Sequence, residues 1–188
     1  MTFPIFNFRV LVIALFMIAS SQLHAQQPMQ MHILISQSLS KLQQPTPEAL
    51  LNCIAELKRI EAIFPDSLQP KILVAKQILN YAVMNPHSPQ TENLLTEAEK
   101  TISKMEQQNP VIQKADLHTA DNYLSDVCTL RGFLYMVRIV QNPSENGQRY
   151  YIDVMQNYEK ALKLNPDNQL AAQLQEKFLE GMKQQTRK

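Results

Sequence analysis

The stretch YYIDVMQNYEKALKLNPD, Tyr150 to Asp167, decides the fold. Tyr151, Val154, Met155, Tyr158, Ala161 and Leu162 recur at helical spacing and share one face. Asp153, Asn157, Lys160 and Lys163 take the other. Asn165-Pro166 ends the helix, because the residue before a proline is pushed out of the helical region.

The chain on either side is punctuated in the same way. Gln30 to Gln43 reads as a helix through Ile33, Leu34, Leu39 and Leu42, stopped by Pro45-Thr46-Pro47. Thr46 is placed to cap the next helix, with Pro47 in its first turn, where no amide donor is needed. That helix runs to about Phe64 with Leu50, Ile54, Leu57 and Ile60 on one face, and Phe64-Pro65-Asp66 repeats the turn at Asn165-Pro166-Asp167. Leu68 to Met84 is apolar on most of its circumference, as a helix with neighbours on several sides would be. Asn85 to Pro89 forms a turn with Ser88 as candidate cap, and a fourth helix follows to about Gln108. Val111 to Thr119 reads as a linker or an extra turn. Tyr123 to Gln141 is a fifth helix. The polar stretch Asn142 to Arg149 reads as an inserted loop, and Asn168 to Gln185 as a last helix through Leu170, Leu174, Phe178 and Met182.

Tyr158, Ala161 and Pro166 stand at the spacing of the second helix and closing turn of a tetratricopeptide repeat, and Gly132 and Tyr135 match positions of a first repeat helix. The segment Ala98 to Ile102, AEKTI, echoes Tyr158 to Leu162, YEKAL. The chain therefore resembles the tetratricopeptide-repeat family, in the manner of small exported bacterial members. The resemblance implies an all-α fold of stacked antiparallel helix pairs, about three degenerate repeats closed by a C-terminal capping helix. It also implies a groove lined by first helices. Carried over position by position, that groove would present Ile72, Lys76, Leu79 and Asn80 from one repeat and Thr129, Phe133, Met136 and Val137 from the next. The same residues would serve equally as the core of a short closed bundle.

The N-terminus carries a different instruction. Arg9 precedes an apolar run from Val10 to Ala19, and SSQLHA follows it. This is the pattern of a secretory signal peptide over residues 1–25, leaving 26–188 as one helical-repeat domain, exported to the periplasm or beyond the cell. Removing Arg9 from the 18 basic residues balances the 17 acidic ones. A neutral domain gives no electrostatic case for nucleic acid, and no later run is long enough for stable membrane insertion. The two cysteines, Cys53 and Cys128, fall among apolar residues on separate repeats and are expected to be free thiols.

No metal, cofactor or catalytic motif stands out. His32, His87 and His118 are scattered, and CxxC, GxSxG and phosphate-loop patterns are missing from a chain with only three glycines. Glu97, Glu99, Lys100 and Lys104 read as a charged helix face. The expected function is a non-catalytic scaffold of the bacterial envelope that binds a protein or peptide partner. A helical carrier of a small apolar ligand is the alternative, and an enzyme the third reading. Glu145 and Arg149, on the inserted stretch, are expected at the groove mouth.

Overall fold

A computed structural model describes residues 29–107 and 117–185. The signal-peptide segment, Val111 to Lys114 and the terminal Arg187 and Lys188 lie outside the described residues. Within them the protein is all-α. Helix α1 covers 29–40. It is followed by α2 (Pro47–Ile63), α3 (Leu68–Met84), α4 (Thr91–Gln107), α5 (Leu117–Gln141), α6 (Pro143–Leu164) and α7 (Gln169–Gln185).

Prolines set the corners. Phe64, Asn85, Asn142 and Asn165 each precede a proline, and their backbones leave the helical region, with ψ of 64°, 60°, 83° and 96°. Three of these corners close with one hydrogen-bond pattern. The amides of Phe64, Asn85 and Asn165 each donate to the carbonyl four residues back at 2.9 Å. Three residues on, the amides of Ser67, Ser88 and Asn168 fold back onto those same corner residues. Thr46 Oγ1 accepts from the Ala49 amide at 3.1 Å, so the expected cap of α2 is formed with Pro47 behind it. Ser88 does not cap α4. Its hydroxyl instead meets Tyr81 Oη at 3.1 Å, while Thr91 Oγ1 ties back to the Asn85 carbonyl.

Short corners make successive helices antiparallel, and the contacts record it. Going back along α5 and forward along α6, the Arg138 carbonyl accepts from Asn146 Nδ2, Tyr135 stacks on Tyr150 at 5.1 Å, and Ser125 Oγ donates to the Ala161 carbonyl at 2.8 Å. Helix α5 also docks on both α3 and α4, and α7 docks on both α5 and α6. Helices α5 and α7 thus each cover the preceding pair, which is the geometry of a stack that grows in one direction. Helix α3 touches α2, α4 and α5, and accordingly buries Val74, Ala75, Ile78, Leu79, Tyr81 and Ala82. One apolar core runs from Met31 on α1 through Leu57, Ile78, Leu95 and Leu134 to Phe178 on α7.

Two devices fix α5 against its neighbours. At Gly132 an added Cβ would stand 2.8 Å from Tyr158 Cε1, so α6 approaches α5 more closely than a side chain permits. On the other side, Glu92, Glu99 and Glu106 form a stripe on α4 at seven-residue spacing, opposite Arg131 and Arg138 at the same spacing on α5. Arg131 is largely buried and forks onto Glu106 at 3.0 and 2.6 Å while also donating to Ser103. Arg138 grips Glu92 at 2.8 and 2.6 Å and lies 3.7 Å from Glu99. Glu97 faces the other way, to Lys58 at 2.7 Å.

A buried polar knot anchors the capping helix. Asn168 Oδ1 accepts from the Ala171 amide, while its Nδ2 lies 2.8 Å from Ser125 Oγ, 3.2 Å from Asp126 Oδ1 and 3.3 Å from Thr129 Oγ1. Asn168→Ala is expected to lose about 2 kcal/mol, from the missing cap plus the buried groups left without it. A urea melt checks this; a loss no larger than that of an exposed alanine substitution such as Glu159→Ala would refute it.

Three expectations need correction. Asn142 to Arg149 is not a loop: α5 and α6 are separated by Asn142 alone, and the polar stretch is the first two turns of α6. Asn142 Oδ1 accepts from the Glu145 amide at 3.4 Å, Asn142 Nδ2 donates to the Glu145 carboxylate at 2.8 Å, and Pro143 takes the first turn. Helix α5 starts at Leu117, not Tyr123, because Tyr123 is itself held mid-helix by its hydroxyl on the Met105 carbonyl at 3.1 Å. Helix α1 buries Met31, Ile35 and Ser38, leaving Ile33 and Leu34 exposed. That is a rotation of the expected face, allowed by apolar residues around most of that helix.

Both cysteines are free and buried, Cys53 on α2 and Cys128 on α5. Burial pushes both thiols up, with Ser38 Oγ at 3.4 Å from Cys53 Sγ acting in the opposite sense. The thiolate is the reactive form, so the folded protein should react slowly with a disulfide reagent near neutral pH, and the denatured protein should release two equivalents. A mass two hydrogens lighter, restored on reduction, would contradict this.

Candidate functional site

The eight groove positions separate into two sets. Leu79, Phe133, Val137 and Thr129 are buried, the first three in the apolar core and Thr129 beside Asn168, with its hydroxyl on the Ser125 carbonyl at 2.8 Å. Ile72, Lys76, Asn80 and Met136 reach the surface in part. Three of those four lie on α3 at four-residue spacing, and Met84, 48% exposed, extends the row by one more step. Residues four apart lie just over one turn on and about 40° further round a helix, so Ile72, Lys76, Asn80 and Met84 form an oblique stripe that turns by about 120° from end to end.

A cleft of about 390 Å³ opens beside the lower half of this stripe. Lys76, Asn80, Val83 and Met84 form its α3 wall, with Gln77 at the base. Leu50 closes the floor, and Leu42 and Pro45 from the α1–α2 connection form the far wall. Among the described residues that line it, Lys76 is the charged one. Asn80 Nδ2 donates to Gln77 Oε1 at 2.9 Å, which fixes both amides. Asp126 on α5 is coupled electrostatically to Lys76; burial pushes its carboxyl up, and the Asn168 hydrogen bond and Lys76 act against that. Leu42, Pro45, Val83 and Met84 were not among the sequence-based site residues. Met84 could have been found by extending the Ile72, Lys76, Asn80 series by four; the α1–α2 wall depends on tertiary packing.

Met136 lies elsewhere, in an apolar cleft of about 150 Å³ between α5 and α7 with Ile139, Val140, Phe178 and Met182. Glu145 lines a polar cleft of about 270 Å³ with Glu99, Tyr135, Arg138, Asn146 and Tyr150. Arg149 lies over the Tyr150 ring, 5.1 Å from its centre. The structure therefore brings Lys76 and Asn80 together in one cleft and puts Met136 and Glu145 in two others.

Among the described residues no cluster of histidine, cysteine and carboxylate side chains is arranged to hold a metal ion, and no helix is long and apolar enough to cross a membrane. No protein-family model matches the chain, and no curated protein or solved structure is similar to it.

Proposed function

We propose that this protein is a non-catalytic interaction scaffold of the tetratricopeptide-repeat type, exported to the bacterial envelope, which binds a segment of a protein partner along α3. The observation that carries the reading is the open cleft beside the Ile72, Lys76, Asn80, Met84 stripe, with a large apolar side chain left 48% exposed at Met84. Apolar walls with a few fixed polar groups suit peptide recognition. The order of helices supports the repeat assignment, since α5 covers the α3–α4 pair as α7 covers the α5–α6 pair. Carriage of a small apolar ligand is less well supported. The apolar cleft between α5 and α7 is about 150 Å³, below the about 300–1,000 Å³ usual for ligand pockets, and the cleft of about 390 Å³ beside α3 is of that size but open, where a carrier would enclose its ligand.

Site-specific photo-crosslinking tests the scaffold reading. A photoreactive phenylalanine analogue in place of Met84 should capture a defined protein in the producing cells. The same analogue at exposed Lys163 on α6 should not. Equal capture at the two positions, or none at Met84, would refute a binding face on α3.

A further inference from the structure

We infer that the outward face of α1 pairs antiparallel with the same face of a second copy of this chain, joining two stacks at their N-terminal ends. The first support is the contrast between the two ends of the stack. The C-terminal end is closed by α7, whose Glu176, Lys177 and Glu180 are exposed, as the terminal unit of a stack requires. The N-terminal end is α1, which has no Asp, Glu, Lys or Arg over 29–40. Depletion of charge around an exposed methionine marks the centre of an interface. Half of the large apolar side chains exposed among the described residues stand at this end: Met29 at 70%, Ile33 at 50%, Leu34 and, from α2, Ile63. Apolar surface is thus gathered where a polar cap is missing. Leu34 and Ile63 line one cleft of about 260 Å³ between α1 and α2, so the patch is continuous across the two helices. The four side chains expose about 400 Å² of apolar surface, while a standard interface takes about 800 Å² from each partner, a little over half of it apolar.

Shape commits the partner to a second copy. Each helical residue turns by about 100°, so Met29, Ile33, Ser36 and Ser40 fall within about 60° of one another, opposite the buried Met31, Ile35 and Ser38. Bulky side chains occupy the first half of that line and small ones the second. Antiparallel pairing of two copies sets Met29 against Ser40 and Ile33 against Ser36, with one register serving both pairs. Each copy's bulky half then covers the other's small half, where parallel pairing would bring bulk against bulk. Ser40 Oγ donates to the Gln37 carbonyl at 2.8 Å, so its hydroxyl is satisfied before it is covered. The charges at the border are of both signs, Lys41 held by Glu56 at 2.6 Å with Arg59 on the same cleft, so the face does not repel its own copy. On the export reading, Gln26, Gln27 and Pro28 are what the mature chain carries ahead of α1. Three residues reach about 10 Å, too little to cover a helix of about 18 Å.

The test uses the protein purified from producing cells, its N-terminus fixed by intact mass. Sedimentation velocity should show a monomer passing to a dimer as concentration rises, with a Kd of about 10 μM. Ile33→Glu, at a half-exposed site, should melt as the wild type does and weaken pairing by about tenfold or more. Ile152→Glu, the same change at an exposed site on α6, should leave the dimer intact. Orientation is read with Met29→Cys, Ser40→Cys and a short bismaleimide, to which the buried Cys53 and Cys128 react slowly. In the antiparallel pair the two copies of position 29 lie about 16 Å apart along the axis, as do the two copies of position 40. Neither variant alone should therefore crosslink, and their equimolar mixture should. A monomer at every concentration, a dimer that survives Ile33→Glu, crosslinking of either variant alone, or none in the mixture would overturn the inference. A retained segment 1–25 in a protein that still pairs through Ile33 removes the export argument and leaves the pairing standing.

Discussion

Ala161→Glu is expected to destabilise the protein by about 4 kcal/mol, while Lys160→Glu should change stability by no more than about 0.5 kcal/mol. The two positions are adjacent on α6 and receive the same new side chain, and the helix-propensity difference between the residues replaced is only about 0.2–0.4 kcal/mol, too small to account for the gap. What differs is direction. Ala161 is fully buried against Cys128 of α5 and Ala171 of α7, at the point where three helices meet. Its carbonyl is already the acceptor for Ser125 Oγ at 2.8 Å, which fixes the local backbone. A carboxylate there must either remain charged without a buried partner or take up a proton, and in both cases it must also displace the packed neighbours. Lys160 is exposed. A chain of this size loses roughly 2–4 °C of melting temperature per kcal/mol, so the two variants should melt about 10 °C apart. Comparable melting temperatures would mean that the α5–α6–α7 junction is not packed as described.

The same junction shows what local sequence carries and what it does not. Val154, Tyr158 and Ala161 are fully buried, as their spacing predicts, and Met155 and Leu162 are partly buried beside them, whereas Tyr151, expected on the same face, is exposed. The proline corners were equally legible, since a residue before proline has little choice of backbone. Helix α3 and helix α5 are different. Each packs on several helices, so apolar residues occur around most of the circumference, and spacing alone cannot say which apolar side faces a neighbour. That is why Leu79, Phe133 and Val137, candidate groove residues, are core. Thr129 is harder still, for its burial depends on Asn168, 39 residues away in sequence.

The misread start of α6 has a local cause. Asn142-Pro143 followed by Glu145 uses the same chemistry as Thr46-Pro47, a side-chain cap with proline behind it. Gly147 and the surrounding polar residues weigh towards a loop. In the fold Gly147 has open space around it, so its cost is only the roughly 1 kcal/mol of an exposed helical glycine. The long contact between α5 and α6, including the Tyr135–Tyr150 stack, offsets that cost. The expected loop is therefore the first two turns of α6, largely exposed, tied to α5 through Asn146 Nδ2 on the Arg138 carbonyl and capped by Glu145.

Gly132→Val is expected to cost about 3 kcal/mol, and the three glycines together make the reason testable. Replacing a helical glycine by alanine ordinarily stabilises by up to about 1 kcal/mol. At Gly147 and Gly181 an added Cβ meets nothing within 4 Å, so alanine there should stabilise by about that amount. At Gly132 the added atom would lie 2.8 Å from Tyr158 Cε1, 3.0 Å from Cδ1 and 3.2 Å from Cζ. The ring cannot swing away, because Tyr158 is fully buried and its hydroxyl points to Met136 Sδ at 3.8 Å. Overpacking of this kind typically costs about 1–3 kcal/mol, so Gly132→Ala should be destabilising by about 1 kcal/mol after its propensity gain, and the two further methyls of valine should bring the loss to about 3. Shrinking the ring tests the cause. In a Tyr158→Leu background the penalty for Gly132→Ala should shrink or change sign, giving a coupling of about 1 kcal/mol or more between the two sites. If Gly132→Ala stabilises as much as Gly147→Ala does, α6 does not approach α5 at that point and the packing of the last helix pair is wrong.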